Sequence, residues 1–556
     1  MSPITIFQAR KILTMNPSRP LATHVAVRDG RILGAGALEE LTGWGPHRLE
    51  TRLADKVLMP GLVEGHSHLM EGAFWRFVYC GYFDRRDPNG RVWPGAKTLA
   101  EVLERLRAAQ AALSDPAAPL AGWGFDPIYF DNRRCVREDL DQVSRTRPVG
   151  MIHASAHIIN CNSAALAAVG WLRSGIDHPG VPLGSDGLPT GELKGPEAMM
   201  AVAETLGLDR GALAGDEVGL RLFSRLCVRA GVTTATDLAS PLPDEALPML
   251  LDTTARDSFP TRIVPLLRLT GAPQATIERA AALRARSSER LRLGRVKIVA
   301  DGSIQGFSAR LRWPGYHNGA PNGLWYLAPQ QIRQALEFAL QHGVQVHVHT
   351  NGDEATDAVL DGMEQALQRQ PRPDHRFTLQ HCQLADAAQF RRMKALGLCV
   401  NLFANHHYYW GDEHYRLTVG PERATRMNAC ATALATGVPF AIHSDAPITP
   451  LAPLFTAWCA VHRRTASGRT LGEHERIGVA DALRAITLGA AYTLGLDGEI
   501  GSIECGKHAD FCVLDDDPLA VPSEALRELP VWGVVQGGRI FAAADLPTGR
   551  DAAAAA

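Results

Sequence analysis

Short apolar segments alternate with amphipathic helical segments through most of the middle of the chain. Eight of the apolar segments have the length and composition of buried strands, and they are VLMPGLVEGH, GVTTATDL, RIVPLLRL, RVKIVADGS, VQVHVHTNG, RFTLQHCQ, GLCVNLF and VPFAIHSD. The segments between them, such as APQQIRQALEFALQHG, place apolar residues three and four positions apart, as amphipathic helices do. Repeated strand–helix units predict a parallel sheet, and about eight of them predict a closed, TIM-like (β/α)8 barrel.

The two ends of the chain and one internal stretch depart from this rhythm. Residues 1–60 and 493–545 contain short alternating strands, so we expect the termini to meet in one small β-sandwich domain. Residues 61–492 are then the barrel. Within it, residues 70–215 carry helical patches and Gly/Pro-rich loops, which predicts an insertion after the first barrel strand that covers the active site. Residues 546–556 end in an alanine run and are predicted to be a disordered tail.

Charge and cysteine content limit the partners and location that we expect. The chain has 57 basic and 59 acidic residues, a net charge of -2, which favours neither nucleic acid nor an anionic membrane as a partner. The ten cysteines form no Cys-x-x-Cys pair, as is typical of reduced thiols in a cytoplasmic protein. The N-terminal stretch lacks the features of a signal peptide, and no segment approaches the roughly 18 apolar residues of a membrane span.

Polar residues able to bind metal lie at or near the carboxyl ends of the predicted strands. They are His66, His68, Lys297, His347, His349, His381 and Asp445. In a barrel those strand ends converge on one face, where the active site is built. His66 and His68 share one side of their strand because side chains alternate with period two, and two imidazoles can bind one cation. Together with the other strand-end residues they predict a metal site that suits zinc, iron, manganese or nickel.

Lys297 lies inside an apolar strand, where a charged amine must lose its charge, find a partner or be modified. A buried lysine with a lowered pKa can react with CO₂, and the resulting carbamate can bridge two cations as a carboxylate would. Two other interpretations stay open from the sequence. The lysine could extend to the rim of the barrel, or it could pair with Asp301.

These segments carry a family resemblance. The chain resembles the amidohydrolase superfamily, and within it the YtcJ-like branch that includes N-substituted formamide deformylases. The matching segments are MPGLVEGHSH, VKIVADGS, HVHTNGDEA, LQHCQL, HSDAP and GKHADFCVLDDDPL. The resemblance spans nearly the whole chain.

The resemblance implies a centre of two metal ions, most commonly zinc. Its six implied ligands are His66, His68, Lys297, His349, His381 and Asp445. The His-x-His pair and Asp445 would bind the more buried ion. Lys297, as a carboxylated lysine, would bridge both ions, and the other two histidines would bind the second ion.

Three positions in these motifs need separate comment. Similar proteins keep a histidine at the position of His349, before the Gly-Asp pair, and His347 stays an alternative because it has the same side-chain parity. Glu64 stands where the first motif often has Asp, and we expect it to support the ligands without binding metal.

The implied reaction is hydrolysis of an amide-type C–N bond in a small-molecule substrate, an N-acyl or N-formyl amide. A divalent cation lowers the pKa of its bound water from about 15.7 to about 7, which supplies hydroxide at neutral pH. Asp445 would take a proton from the attacking water and return it to the leaving nitrogen. His381 would also stabilise the oxyanion if it is not fully engaged in binding metal. We expect a homodimer as the common default for soluble enzymes.

Aromatic and histidine side chains outside the metal motifs are candidates for substrate contact. Trp123, Phe125 and His157 lie in the predicted insertion, and His406 and His407 lie in the run NHHYYWGDEH. The alternative is that the aromatic residues pack the insertion's own core and that the histidines are structural.

Two other classes of function stay open. The same fold and metal site would also suit a hydrolase of cyclic amides, carbamates or esters, or a non-hydrolytic lyase. A barrel without catalytic activity would instead serve in binding or regulation. Retention of all six candidate ligands favours an enzyme, since loss of ligands is the simplest route to an inactive site.

Overall fold

The computed structural model describes residues 2–208 and 216–547, and these residues form two compact units. The first unit contains residues 2–68, 224–446 and 451–546. The second contains residues 69–208, 216–223, 447–450 and 547. The disordered tail predicted for residues 546–556 lies outside the described residues from position 548 onward.

Eight parallel strands of the first unit form one curled sheet. In chain order, which is also their order across the sheet, they are Leu62–Glu64, Val232–Ser240, Arg262–Arg268, Arg295–Val299, Gln345–Thr350, Thr378–His381, Cys399–Leu402 and Phe440–Ile442. A parallel bridge between Ser67 and Ala446 joins the segments that follow the first and last strands. The strand–helix rhythm therefore predicted the α/β class and the TIM-barrel-like parallel sheet correctly.

Helices connect these strands and pack one apolar face inward. In the helix Pro329–His342 the buried side chains recur at helical spacing, and they are Ile332, Ala335, Leu336, Ala339 and Leu340. Proline occupies its first turn and Gly343, at φ 62°, ends it in the left-handed conformation that glycine favours. The other helices along this part of the chain are Glu217–Ala230, Ala246–Ala255, Pro273–Leu283, Asp353–Arg369, Ala387–Ala395, His406–Glu413, Gly420–Arg426, Cys430–Thr436, Pro453–His462, Val479–Ala485 and Leu488–Thr493.

A second sheet of the first unit joins the two ends of the chain. Its eight strands are Ile4–Leu13, Leu21–Arg28, Arg31–Gly36, His47–Glu50, Val57–Pro60, Phe511–Leu514, Val531–Gln536 and Arg539–Ala542. The strand Phe511–Leu514 pairs antiparallel with Val57–Pro60, and Phe7, Val25 and Val535 belong to the hydrophobic cluster of this sheet. The termini thus share one sheet, while its arrangement as a sandwich stays a prediction.

The second unit has its own sheet and its own hydrophobic core. Five strands form the sheet, and they are Val78–Tyr79, Leu120–Phe125, Val149–His153, Ile158–Cys161 and Glu192–Lys194. A two-stranded ribbon pairs Arg85–Arg86 with Val92–Trp93. The helices are Met70–Phe74, Leu99–Ala111, Arg137–Asp141, Ser163–Ala168 and Gly195–Ala203. This unit contains most of the stretch predicted as an insertion, and its role as a cover for the active site stays a prediction.

Two further findings concern the described residues as a whole. None of their helices combines the length and apolar character needed to cross a bilayer. All ten cysteines are free thiols, and nine of them are buried.

Candidate metal centre

The parallel sheet brings most of the predicted ligands to its carboxyl end. His66 and His68 follow the strand Leu62–Glu64, and Asp445 follows Phe440–Ile442. His381 is the last residue of its strand, and His349 is the last but one of the neighbouring strand. The side chains of parallel strands meet at this end of the sheet, so residues far apart in sequence become neighbours.

One group of side chains combines the His-x-His pair with Asp445. The Oδ1 atom of Asp445 lies 3.3 Å from Nε2 of His66 and 3.2 Å from Nε2 of His68. Ligand atoms of all three residues lie within 4.8 Å of one another. Two imidazoles and a carboxylate that face one point are a donor set for a divalent cation.

Asp445 stays ionised in this setting, and its backbone is unusual. Burial raises the pKa of its carboxyl, but the hydrogen bond from His68 and other favourable electrostatic interactions outweigh burial, so the pKa is lowered overall. Asp445 has φ 56° and His381 has φ 71°, a left-handed conformation that non-glycine residues seldom adopt. Such conformations cluster at functional sites, where the surrounding structure holds them.

A second group of candidate ligands contains a residue that the sequence analysis missed. His66, His381 and His443 are all buried, with ligand atoms within 4.8 Å of one another. Nε2 of His443 lies 3.1 Å from Nδ1 of His381, and its ring stacks on that of His66. Burial lowers the pKa of His443 to about 3, so its ring is neutral and can offer a lone pair. The available signal was the spacing, because His443 precedes Asp445 by two residues.

The two histidines of the fifth strand occupy different surroundings. The ring centroid of His349 lies 4.5 Å from that of His381, and its Nε2 lies 3.2 Å from the carbonyl oxygen of Gly302. His347 is fully buried, and both of its ring nitrogens contact other groups, Gln380 and the backbone of Thr493. The geometry is therefore more favourable to His349 as the ligand, although neither histidine is a member of the two groups described above.

Lys297 lies in a strand of the curled sheet with no ion pair to the partner considered from the sequence. Its side chain is buried, and among the described residues Nζ has no hydrogen-bond partner. Asp301, the partner considered from the sequence, instead accepts backbone N–H groups of Asn351, Gly352 and Arg310. Burial lowers the pKa of Lys297 to about 7, so much of the amine is uncharged near neutral pH.

Glu64 holds the first and last strands of the curled sheet together. Its carboxyl group accepts hydrogen bonds from Oγ of Ser444 at 2.8 Å, from the backbone N–H of Ser444 at 3.1 Å and from that of His66 at 3.3 Å. Burial raises the pKa of Glu64 to about 8. Glu64 thus fixes the backbone beside two predicted ligands, which is the supporting role expected from the sequence.

The aromatic candidates for substrate contact belong to the core of the second unit. Trp123 is 2% exposed and packs against Phe74, Trp75 and Tyr79. Phe125 is fully buried and stacks on another phenylalanine of the same unit. Both rings lie in a hydrophobic core, as the alternative interpretation expects, and a substrate contact of either residue stays a prediction. His157 lies between the strands Val149–His153 and Ile158–Cys161 and is half-buried.

His406 and His407 begin the helix that follows the seventh strand of the curled sheet. Both are buried, and burial holds the pKa of each well below its usual value. The ring of His406 stacks on Trp410, and its Nδ1 lies 3.2 Å from Nε2 of His414. These contacts account for His406 as a packed side chain. A substrate contact of either histidine stays a prediction.

The curled parallel sheet and the histidine–aspartate groups at its carboxyl end define a metal-dependent hydrolase of the amidohydrolase type. The model of the Amidohydrolase family matches residues 53–542, so the chain belongs to this family. The resemblance inferred from the motifs is therefore confirmed, and so is the enzyme class.

Relatives and a solved structure extend this assignment. N-substituted formamide deformylase of Arthrobacter pascens is 27% identical over 94% of this chain and 95% of its own. Putative amidohydrolase YtcJ of Bacillus subtilis is 27% identical over 95% of this chain and 97% of its own. A crystal structure of an uncharacterized metal-dependent hydrolase from Pyrococcus horikoshii superposes with a TM-score of 0.72 and 20% identity, covering 94% of this chain and 99% of that one.

Proposed function

We propose that the protein is a metal-dependent hydrolase that cleaves an amide-type C–N bond, in an N-acyl or N-formyl amide. The observation that carries this proposal is the convergence of His66, His68 and Asp445 on one point. The name of the Arthrobacter pascens relative supplies the bond type. Family membership supplies the hydrolase chemistry.

The residues present fit divalent cations. His66, His68 and Asp445 would hold one ion, and His381 with His349 or His443 would offer ligands to a second. Lys297, buried without a hydrogen-bond partner among the described residues, would bridge the two ions once carboxylated. An imidazole-rich donor set suits zinc best, with iron, manganese and nickel as alternatives. Such ions, when bound, lower the pKa of water and polarise a carbonyl group.

Asp445 is the residue that we propose moves the proton. Its lowered pKa leaves the carboxylate free to accept a proton from the attacking water at neutral pH. The protonated carboxyl group would then donate to the leaving nitrogen, because an amine leaves poorly unless it is protonated. A ring N–H of His381 would donate a hydrogen bond to the oxygen of the former carbonyl group as negative charge develops there.

We propose a small-molecule substrate and a cytoplasmic, homodimeric enzyme with neither a nucleic acid nor a membrane partner. The nearly balanced net charge of -2 supports the partner assignment. The ten free cysteines support a reducing compartment. The dimer rests on the general prevalence of twofold homo-oligomers.

A screen of the zinc-loaded protein against amides, lactams, carbamates, esters and lyase substrates, read by product mass, tests the proposal. We expect N-acyl or N-formyl amides to give the highest turnover, and Asp445→Asn to abolish it. Turnover confined to lactams, carbamates or esters would replace the proposed bond while keeping the metal site. Bound metal without turnover of any class would favour a binding protein.

A further inference from the structure

A chain of hydrogen bonds runs beneath the metal centre through the interior of the curled sheet. Nδ1 of His66 lies 2.8 Å from Oε1 of Gln380. Nε2 of Gln380 lies 2.7 Å from Nδ1 of His347. Nε2 of His347 lies 3.1 Å from the carbonyl oxygen of Thr493. The three side chains are 98% or more buried, so no bulk water competes for these contacts.

The far end of this chain is a group that can only accept. Thr493 is the last residue of the helix Leu488–Thr493, and carbonyl groups at helix ends lack an intrahelical partner and carry partial negative charge. The side chains of Gln345 and Thr378 also donate to this oxygen, at 2.9 and 3.1 Å. The Thr493 carbonyl is thus a fixed acceptor at the base of the chain.

The Thr493 carbonyl determines which ring nitrogen of His347 carries hydrogen, and through it the orientation of the Gln380 amide. His347 must carry its hydrogen on Nε2 to donate to Thr493, so its Nδ1 carries a lone pair. Gln380 must then turn its amide NH₂ to His347 and its oxygen to His66. A charged His347 would allow the opposite order, but a buried imidazolium without a carboxylate partner is strongly disfavoured.

We infer that His347 is a positioning residue that, through Gln380, fixes the tautomer of His66. With its hydrogen on Nδ1, His66 keeps the lone pair of Nε2, which lies 3.3 Å from Asp445 Oδ1, available to the proposed metal centre. Histidine ligands bind metal through a lone pair, and the hydrogen bond of the other ring nitrogen selects which nitrogen is available. This inference rests on the metal centre proposed above, and it gives His347 a function other than metal binding.

The register of the sheet explains why these residues meet. His347 pairs with Thr378, and Gln380 pairs with His349 on the adjacent strands. With period-two alternation, the second histidine of His-x-His lies near His381, one layer above the first. One strand therefore supplies a histidine to the centre and a second histidine to the layer that supports it.

Substitution at position 347 gives the first test. His347→Leu keeps an apolar side chain of similar volume but removes the donor and the acceptor, whereas His347→Gln keeps an acceptor and a donor. We expect the zinc dissociation constant, measured by competition with a chelator, to rise about 10- to 100-fold in His347→Leu, as is typical of lost outer-shell partners. We expect His347→Gln to stay within about threefold of wild type. Equal zinc affinity in wild type and His347→Leu would overturn the inference.

Hydrogen positions give a second test that needs no variant to fold. A neutron crystal structure of the wild-type protein should show hydrogen on Nε2 of His347 and on Nδ1 of His66. Hydrogen on Nε2 of metal-free His66, or on Nδ1 of His347, would overturn this inference while leaving the proposed hydrolase intact. A wild-type protein that binds no zinc would instead overturn both.

Discussion

Two groups of buried polar side chains, one in each unit of this protein, differ in how fully they are paired. In the second unit, Asn162 accepts hydrogen bonds from two backbone N–H groups and donates to the carbonyl groups of Ser144 and Arg147. His153 contacts Asn160, which donates in turn to a backbone carbonyl. At the carboxyl end of the curled sheet, among the described residues, Lys297 Nζ has no such partner.

The difference separates a structural polar network from a site prepared for a ligand. A buried polar group without a partner destabilises the fold by about 1–3 kcal/mol, and a ligand or modification that supplies the partner removes that cost. Imidazole lone pairs and a carboxylate that face one point repel one another, and a cation bound between them would remove that repulsion. We therefore expect substitutions at the carboxyl end of the curled sheet to change metal binding and catalysis. We expect substitutions in the polar network of the second unit to change stability.

The largest effect is expected for Asp445→Asn. An amide cannot accept the proton that the carboxylate takes, so kcat on a substrate found in the screen should fall about 10³-fold or more. The matched control is Asp139→Asn, which removes a buried carboxylate of the second unit that accepts from Arg133 and Val136. Steady-state kinetics should place the control within about threefold of wild type. Comparable losses of kcat in both variants would contradict the distinction between the metal centre and the polar network of the second unit.

A smaller effect is expected for Lys297→Ala. Without the proposed carbamate the proposed second ion would lose its bridge, and kcat/KM should fall about 100-fold. Acetate or propionate should raise kcat/KM of Lys297→Ala at least about tenfold, because a free carboxylate would fit the position of the proposed carbamate. The same acids should leave kcat/KM of the wild type unchanged. Full activity of Lys297→Ala without added acid would remove Lys297 from the centre.

The pH dependence of the free energy of unfolding tests whether His153 is a buried, neutral residue of the second unit. Burial lowers the pKa of His153 to about 4, so the folded protein keeps this ring neutral where the unfolded chain, with an ordinary pKa near 6.5, binds a proton. Stability from this residue is therefore present above about pH 6.5 and is lost as the pH falls toward 4. Between about pH 6 and pH 4.5 we expect His153→Gln to lose about 2 kcal/mol less unfolding free energy than wild type in urea titrations. Parallel losses would show that His153 is not the group responsible.

The smallest effect is expected for Trp123→Phe. Its ring fills the core of the second unit, so the shorter side chain should lower the free energy of unfolding by about 1–2 kcal/mol. The values of kcat and KM should stay within about twofold of wild type. A tenfold rise in KM with unchanged stability would support the prediction that Trp123 contacts the substrate.

The sequence predicted the parallel sheet and those candidate ligands whose positions follow from the periodicity and ends of its strands. His66 and His68 could be placed because alternation puts them on one side, and Asp445 because it follows an apolar strand. The same alternation would have indicated His443, which lies two residues before Asp445 and contacts His381. The family resemblance implies a role only for Asp445 in the segment HSDAP, so it does not indicate His443.

Other features depend on contacts that no local pattern contains. The role of His347 depends on Thr493, which lies 146 residues further along the chain. The sequence could not predict that Lys297 Nζ has no hydrogen-bond partner, because Asp301 is only four residues away and was a reasonable candidate. The sequence left two interpretations of Trp123 and Phe125 open, because aromatic residues serve equally well in a pocket and in a core, and the structure shows both rings packed in a core.

Anomalous X-ray scattering from crystals of the zinc-loaded protein tests the central claim most directly. We predict a zinc peak within coordination distance of His66, His68 and Asp445, with a second peak on the side of Lys297 that faces His381. No zinc at the carboxyl end of the curled sheet, with ordered zinc elsewhere in the crystal, would contradict the assignment of this cluster as a metal centre.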